Sequence, residues 1–300
     1  MIALPPSILD FCLTHGYGPI RRAIPLGGGC INNATRLDTD GGPLFLKTNA
    51  HTPPDMFERE AEGLAALTPS PTPIGRGELS ESGPRIPKVL LVGRDFILQE
   101  YIEPGPRRAN YWETLGAQMA ALHNRTSLRF GFAHNNYLGP TPQINDWEEN
   151  GYNFFGRHRL GYQAKLGASN KYLNSTDLRQ AEALIRRLPE LIPPQPASIL
   201  HGDLWSGNLH SDSQGRPVLI DPAAYYGWAE ADLAMMTLFG SPPDSFFHAY
   251  ESVRPLTPGY RERFDLYNLY HLLNHLNLFA EGYVGSVRAI LRRYSSMSTT

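Results

Sequence analysis

Apolar residues change their rhythm part-way along the chain. In "PPSILDFCLTHGYG" (5–18) Ile8, Leu9, Cys12 and Leu13 recur at helical spacing before a glycine that can stop a helix. The next stretch, "IRRAIPLGGGCINNATRLDTDGGPLFLKTN" (20–49), predicts a strand, a glycine turn, a second strand, a "DGG" hairpin and a third strand ending at Lys47. Two prolines then mark the start of a helix that carries Phe57, Ala61, Leu64 and Leu67 along one face. "GPRIPKVLLVGRDFILQEYI" (83–102) predicts two more strands. Residues 1–102 therefore predict a small lobe of about five antiparallel strands plus one helix.

The segment "EPGPRR" (103–108), rich in proline, glycine and charge, is the expected hinge. From 109 to 300 the pattern turns helical. Trp112, Leu115, Met119 and Leu122 share one helix face, and Leu178, Ala181, Ile185 and Leu188 share another behind a Ser/Thr cap. Further helices are expected around 230–240, 262–280 and 285–294, with a short strand at "PVLID". The expectation is a bilobal α+β fold with a larger, mainly helical C-terminal lobe.

Composition narrows the function classes. Three hundred residues suit two packed subdomains with a cleft between them. A net charge of -2 with 19% charged residues offers no basic field for nucleic acid. No window reaches the length of a membrane span, and "MIALPPSILDF" lacks the basic start and unbroken apolar run of a signal peptide, so the expected compartment is the cytoplasm. Two cysteines, Cys12 and Cys30, suit a reducing environment.

A phosphoryl-transfer site needs a backbone cradle for phosphates, a cation for their oxygens, metal ligands and a carboxylate to orient the attacking hydroxyl. The chain offers these in order. Gly27, Gly28 and Gly29 lie in a turn between strands, where missing β-carbons let backbone N–H groups approach anionic oxygens. Lys47 ends the third predicted strand, and Glu60 on the next helix is placed to pair with it. In "HGDLWSGN" the spacing from Asp203 to Asn208 equals that of the kinase loop H-R-D-L-x-x-x-N. Asp203 is then expected to orient the substrate hydroxyl with an ordinary carboxylate pKa, while Asn208 and Asp221 hold Mg²⁺. There is no Walker G-x-x-x-x-G-K-[ST], Asp221 is followed by Pro-Ala rather than Phe-Gly, and Gly202 stands where protein kinases place an arginine. A small-molecule acceptor fits these departures better than a protein held by an activation segment.

These residues resemble the fructosamine kinase family, within the aminoglycoside phosphotransferase-like and choline kinase-like superfamily of protein kinase-like fold. The likeness runs through "GGGCIN", "FLK", "MFEREAEGL", "LGAQMAALH", "FGF", "NDW", "FFGRHRL", "LHGDLWSGN", "IDPAAYYG" and "YHLLNHLNLF". It implies an ATP- and Mg²⁺-dependent kinase for the 3-hydroxyl of ketosamines, free or protein-bound, whose unstable product releases the amine. It also implies that Gln99, Glu100, Tyr101 and Ile102 hydrogen-bond adenine through their backbone, and that Trp205, Asp146 and Trp147 lie toward the substrate. Trp228 in "YGWAE" departs from the family's frequent "YGHRE" and is expected to keep an aromatic plate at the substrate wall.

Several residues carry two readings. Glu230 and Asp232 are read as supports for the catalytic loop or as ordinary helix-start carboxylates. Cys30 in the glycine loop reads as a thiol open to oxidation or to linking two copies of an otherwise monomeric protein, or as an unreactive small residue. His271 and His275, four apart, lack the Glu of H-E-x-x-H and read as packing or pocket residues. The alternatives to a ketosamine kinase are a kinase for an aminoglycoside, choline or a sugar, and a nucleotide-binding module without turnover.

Overall fold

The computed structural model describes residues 4–27, 32–68 and 83–295. Its first part comprises α1 (Pro6–Thr14), β1 (Ile20–Leu26), β2 (Asn33–Thr39), β3 (Gly42–Thr48), α2 (Met56–Leu67), β4 (Val89–Gly93) and β5 (Phe96–Glu100). The five strands form one antiparallel sheet in the order β1-β2-β3-β5-β4. The "DGG" signal becomes a two-residue hairpin, with Thr39 paired to Gly42. Gly41 has no room for a side chain there, since a β-carbon would come within 2.6 Å of the Gly16 carbonyl oxygen.

Both faces of this sheet are covered. Ile8 and Cys12 of α1 pack on Leu37, Leu44, Leu46, Phe96 and Leu98. Phe57, Leu64 and Leu67 of α2 close over Ile97 on the other face and join the main core. Side chains alternate along a strand, so burying Leu46 beneath α1 turns Lys47 to the α2 side, toward the cleft.

The second part is mainly helical, as the spacing predicts. It holds α3 (Tyr111–His123), β6 (Thr126–Ser127), β7 (Asn136–Leu138), β8 (Thr141–Gln143), α4 (Gly151–Phe154), a π-helical stretch Phe155–Gly161, α5 (Tyr162–Ser169) and α6 (Ser175–Leu191). There follow β9 (Ala197–Leu200), β10 (Leu209–Ser211), β11 (Pro217–Leu219), β12 (Tyr225–Gly227), α7 (Glu230–Leu238), α8 (Asp244–Val253), α9 (Phe264–Phe279) and α10 (Val284–Ser295). The α4–α5 run and α8 have no counterpart in the sequence reading. The cap of α6 is Asn174 rather than Ser175 or Thr176: its side chain accepts from Thr176 N and Asp177 N, and the Asp177 carboxylate accepts from Asn174 N.

Residues 103–108 are stitched to the β10–β11 hairpin. Gly105 N donates to Ser211 O at 3.2 Å and Arg108 N to Gly215 O at 3.3 Å. Among the described residues no helix is long and apolar enough to cross a membrane.

Candidate active site

A cavity of about 400 Å³ opens between the sheet and the helical part, and Gly27, Lys47, Glu60, Asp203, Asn208 and Asp221 all reach it. The Lys47 ammonium donates to Glu60 Oε1 at 2.7 Å and to Asp221 Oδ1 at 2.6 Å. Burial alone would lower its pKa, but the two carboxylates outweigh burial and raise it, so Lys47 stays charged. Glu60 also accepts from Gln99 Nε2 at 3.3 Å.

The loop after β9 is held from beneath by one buried carboxylate. Asp232 of α7 accepts from His201 N at 2.7 Å and Gly202 N at 2.9 Å, and pairs with His123 Nε2 at 3.2 Å. His123 Nδ1 in turn meets the Tyr250 hydroxyl at 2.8 Å. Burial would raise the Asp232 carboxyl, yet His123 and the backbone donors hold it below the usual range. Gly202 is compulsory: its φ is +81°, and a β-carbon would lie 2.0 Å from the Ala223 carbonyl oxygen.

Asn208 Nδ2 donates to Asp203 O at 2.8 Å and to Asp203 Oδ2 at 3.1 Å. With that amide nitrogen committed, Asn208 Oδ1 is the pole left for a cation. Burial pushes the Asp203 carboxyl up to about 7, against the lowering donation of Asn208 and with help from the charges of Asp221 and Asp232. The ordinary carboxylate pKa expected for Asp203 is therefore corrected by its surroundings. Asp221, at φ +54°, keeps its side chain 46% exposed on the cavity. One amide oxygen and one carboxylate are hard donors suited to Mg²⁺, and two protein ligands leave coordination positions for phosphate oxygens and water. Among the described residues no cluster of three or more His, Cys, Asp or Glu offers a metal site without such help.

The fructosamine kinase family model matches residues 13–297. The chain belongs to the fructosamine kinase family. It is 41% identical over 301 residues to the protein-ribulosamine 3-kinase, chloroplastic, of Arabidopsis thaliana, covering 97% of this chain and 88% of the relative. The ketosamine-3-kinase of Mus musculus is 33% identical over 303 residues, with 90% of this chain and 93% of that one covered. A solved Thermobifida fusca structure of the fructosamine-3-kinase type superposes with a TM-score of 0.82 at 31% identity, over 95% of this chain and 99% of that one. A ternary complex of an aminoglycoside phosphotransferase with AMP-PNP and hygromycin B gives 0.61 at 18% identity, over 98% of this chain and 100% of that one, a likeness of fold alone.

Other family-derived expectations fare differently. Gln99 and Glu100 lie inside β5, paired to Phe45 and Leu44 of β3, and Glu100 N donates to Lys88 O at 2.9 Å. Tyr101 and Ile102 follow the strand, and none of the four lines the cavity described above. Gly28, Gly29 and Cys30 lie outside the described residues. Trp205 lines the cavity at 36% exposure, edge-on to Phe239 with ring centroids 6.1 Å apart. Asp146 and Trp147 are exposed and do not line it, Trp147 resting on Tyr226 and beneath Arg129.

Trp228 is corrected: at 4% exposure it is packed among Phe130, Tyr152, Phe155 and Tyr267, so it is core and forms no substrate wall. Glu230 is corrected too, because Arg263 and the Tyr267 hydroxyl claim it, leaving Asp232 alone under the loop. His271 and His275 are packing residues: the His275 ring lies among Phe239, Phe279 and Tyr283, and His275 Nδ1 donates to His271 O at 2.8 Å. Sequence reasoning missed His123 altogether. It closes the apolar face of α3, where it reads as one more helix-end residue, and its partners lie more than a hundred positions away.

Proposed function

We propose that this chain is an ATP-dependent ketosamine 3-kinase. The named relatives support the substrate class, and one observation carries the chemistry: Lys47, Asp203, Asn208 and Asp221 converge on a single cavity. In this reading residues 1–102 supply the nucleotide side, 103–108 the connection and 109–300 the acceptor side.

Lys47, oriented by Glu60, neutralises phosphate oxygens, and the backbone at Gly27 approaches them without a β-carbon in the way. Asn208 and Asp221 would hold Mg²⁺, which when bound would supply positive charge to the transferring phosphoryl group. Asp203 orients the acceptor's 3-hydroxyl and takes its proton as that oxygen bonds to the γ-phosphorus and the bond to the bridging oxygen of ADP breaks. A carboxyl pushed up to about 7 is matched to accepting a proton near neutrality. Trp205 offers a flat apolar wall to the sugar beside that carboxylate.

The test is ATP consumption with Mg²⁺ against fructosyl-lysine, ribulosyl-lysine, an aminoglycoside, choline and ribose, with Asp203→Ala as control. Turnover on ketosamines alone, reduced about 10²- to 10⁴-fold in the variant, is the expected result. Turnover on another acceptor alone would overturn the substrate, and nucleotide binding with no turnover would leave a binding module.

A further inference from the structure

Asp221 adopts a left-handed backbone conformation, φ +54°, uncommon for a residue with a β-carbon and most readily reached by aspartate and asparagine. The residues after it are pinned one by one. Ala223 N donates to His201 O at 2.9 Å. Gln143 Nε2 donates to Ala223 O at 3.0 Å, and Asn136 Nδ2 donates to Ala224 O at 2.8 Å. Two amide side chains from the β7–β8 hairpin thus grip the backbone immediately beyond Asp221.

An amide can be reversed end for end, so something must fix which way these point. Asn136 Oδ1 accepts from Gln143 Nε2 at 2.7 Å and from Asn145 Nδ2 at 2.8 Å. Asn145 Oδ1 accepts from Arg159 at 2.7 Å, and Gln143 Oε1 accepts from the Tyr270 hydroxyl at 2.8 Å. Arg159 can only donate. It draws the oxygen of Asn145 toward itself, the same polarity that the His134 carbonyl, accepting from Asn145 Nδ2 at 3.1 Å, and the Ala224 carbonyl, accepting from Asn136, require, so the network is anchored by a donor-only group at one end and by acceptor-only carbonyls at the other.

Arg159 is fully buried and, among the described residues, donates to the carbonyls of Ile144 at 2.6 Å and His158 at 3.3 Å and to Asn145 rather than to a carboxylate. Its guanidinium lies 4.0 Å from the Tyr225 ring centroid and 4.5 Å from that of Phe154, and its Nε makes no hydrogen bond. A buried charge of this kind is costly, and a neutral residue would fill the space more cheaply. It also sits in the π-helical stretch, a rare geometry frequent at functional sites.

Building on the proposed metal-holding role of Asp221, we propose that Arg159 is a positioning residue. It anchors the donor-only end of the Asn145–Asn136–Gln143 amide network, and that network holds Asp221 in the orientation that binds the nucleotide's metal ion.

Calorimetry of ADP binding with and without MgCl₂ tests this without requiring turnover. The readout is the gain in ADP affinity that Mg²⁺ confers. Gln143→Met and Arg159→Lys are expected to cut that gain about tenfold while leaving metal-free ADP affinity unchanged, as outer-sphere supports of metal ligands do. Tyr270→Phe, which deletes one hydroxyl, should cut it less. If Arg159→Lys does not fold, Gln143→Met and Tyr270→Phe decide the matter. Asp221→Asn separates the two layers of the argument. Loss of the gain there, with the gain retained in folded Gln143→Met and Tyr270→Phe, would reduce the network to a structural role and overturn the inference. A gain retained in Asp221→Asn would overturn the metal assignment and take the inference with it.

Discussion

Lys47 and Asp203 face the same cavity, but different forces hold them. Lys47, on the sheet side, is fixed by charge, between Glu60 at 2.7 Å and Asp221 at 2.6 Å. Asp203, on the helical side, stands on a loop fixed mainly by backbone donors, with Asp232 gathering His201 N and Gly202 N beneath it. Charge contacts can change partners, and Asp221 must share its carboxylate with a cation in the proposed reaction. Directed hydrogen bonds keep their geometry through such an exchange. The sheet side is therefore built to trade contacts and the helical side to stay where it is.

The largest effect should come from removing the tradeable charge. Lys47→Met is expected to lower kcat/KM about 10²- to 10³-fold, with a smaller loss in urea unfolding because Glu60 is left buried without its counter-charge. Equal losses in both measurements would mean that Lys47 supports the fold more than the chemistry. On the helical side Asp232→Ala strands two buried N–H groups, which should cost about 3 kcal/mol in urea unfolding and lower activity with it. An unchanged midpoint would break the comparison.

Acid should loosen the helical side through its neutral histidines. Burial pushes His271 down to about 3, and burial also lowers His123 and His201. Below pH 6.5 the unfolded chain protonates these rings while the folded chain does not, so their contribution is complete above 6.5 and shrinks as the pH falls toward the folded value. Asp203, raised by burial, acts in the opposite sense, its contribution fading as the pH rises through about 7. Comparing wild type with His271→Leu isolates one ring: the variant should lose about 2 kcal/mol less than wild type between pH 7 and pH 5. Parallel curves would show that His271 is not held neutral. The smallest effect is expected at Trp228→Phe, about 1 kcal/mol of stability with KM for a ketosamine unchanged. A raised KM would return Trp228 to the substrate wall.

Much of the sheet side was legible in the sequence because its logic is local. Alternation along β3 and one helix turn of α2 suffice to bring Lys47 to Glu60. The run from Asp203 to Asn208 was legible for the same reason. Arg159 was not, since its π-helical setting breaks the 3.6-residue rhythm and its partner Asn145 matters only through Asn136 and Gln143. Glu230 and Asp232 were read alike, yet residues two apart on a helix point to different sides, so only one could reach the loop. Trp228 was placed at the substrate by comparing "YGWAE" with the family's "YGHRE", whereas four aromatic rings draw it inward.

Position 202 also bears on control. In protein kinases an arginine there answers a phosphorylated activation loop. Here a side chain of any size would collide with the Ala223 carbonyl oxygen, 2.0 Å from where its β-carbon would begin. The loop therefore has nowhere to house that receiver at position 202, and the place where protein kinases read a phosphorylated loop is filled here by backbone.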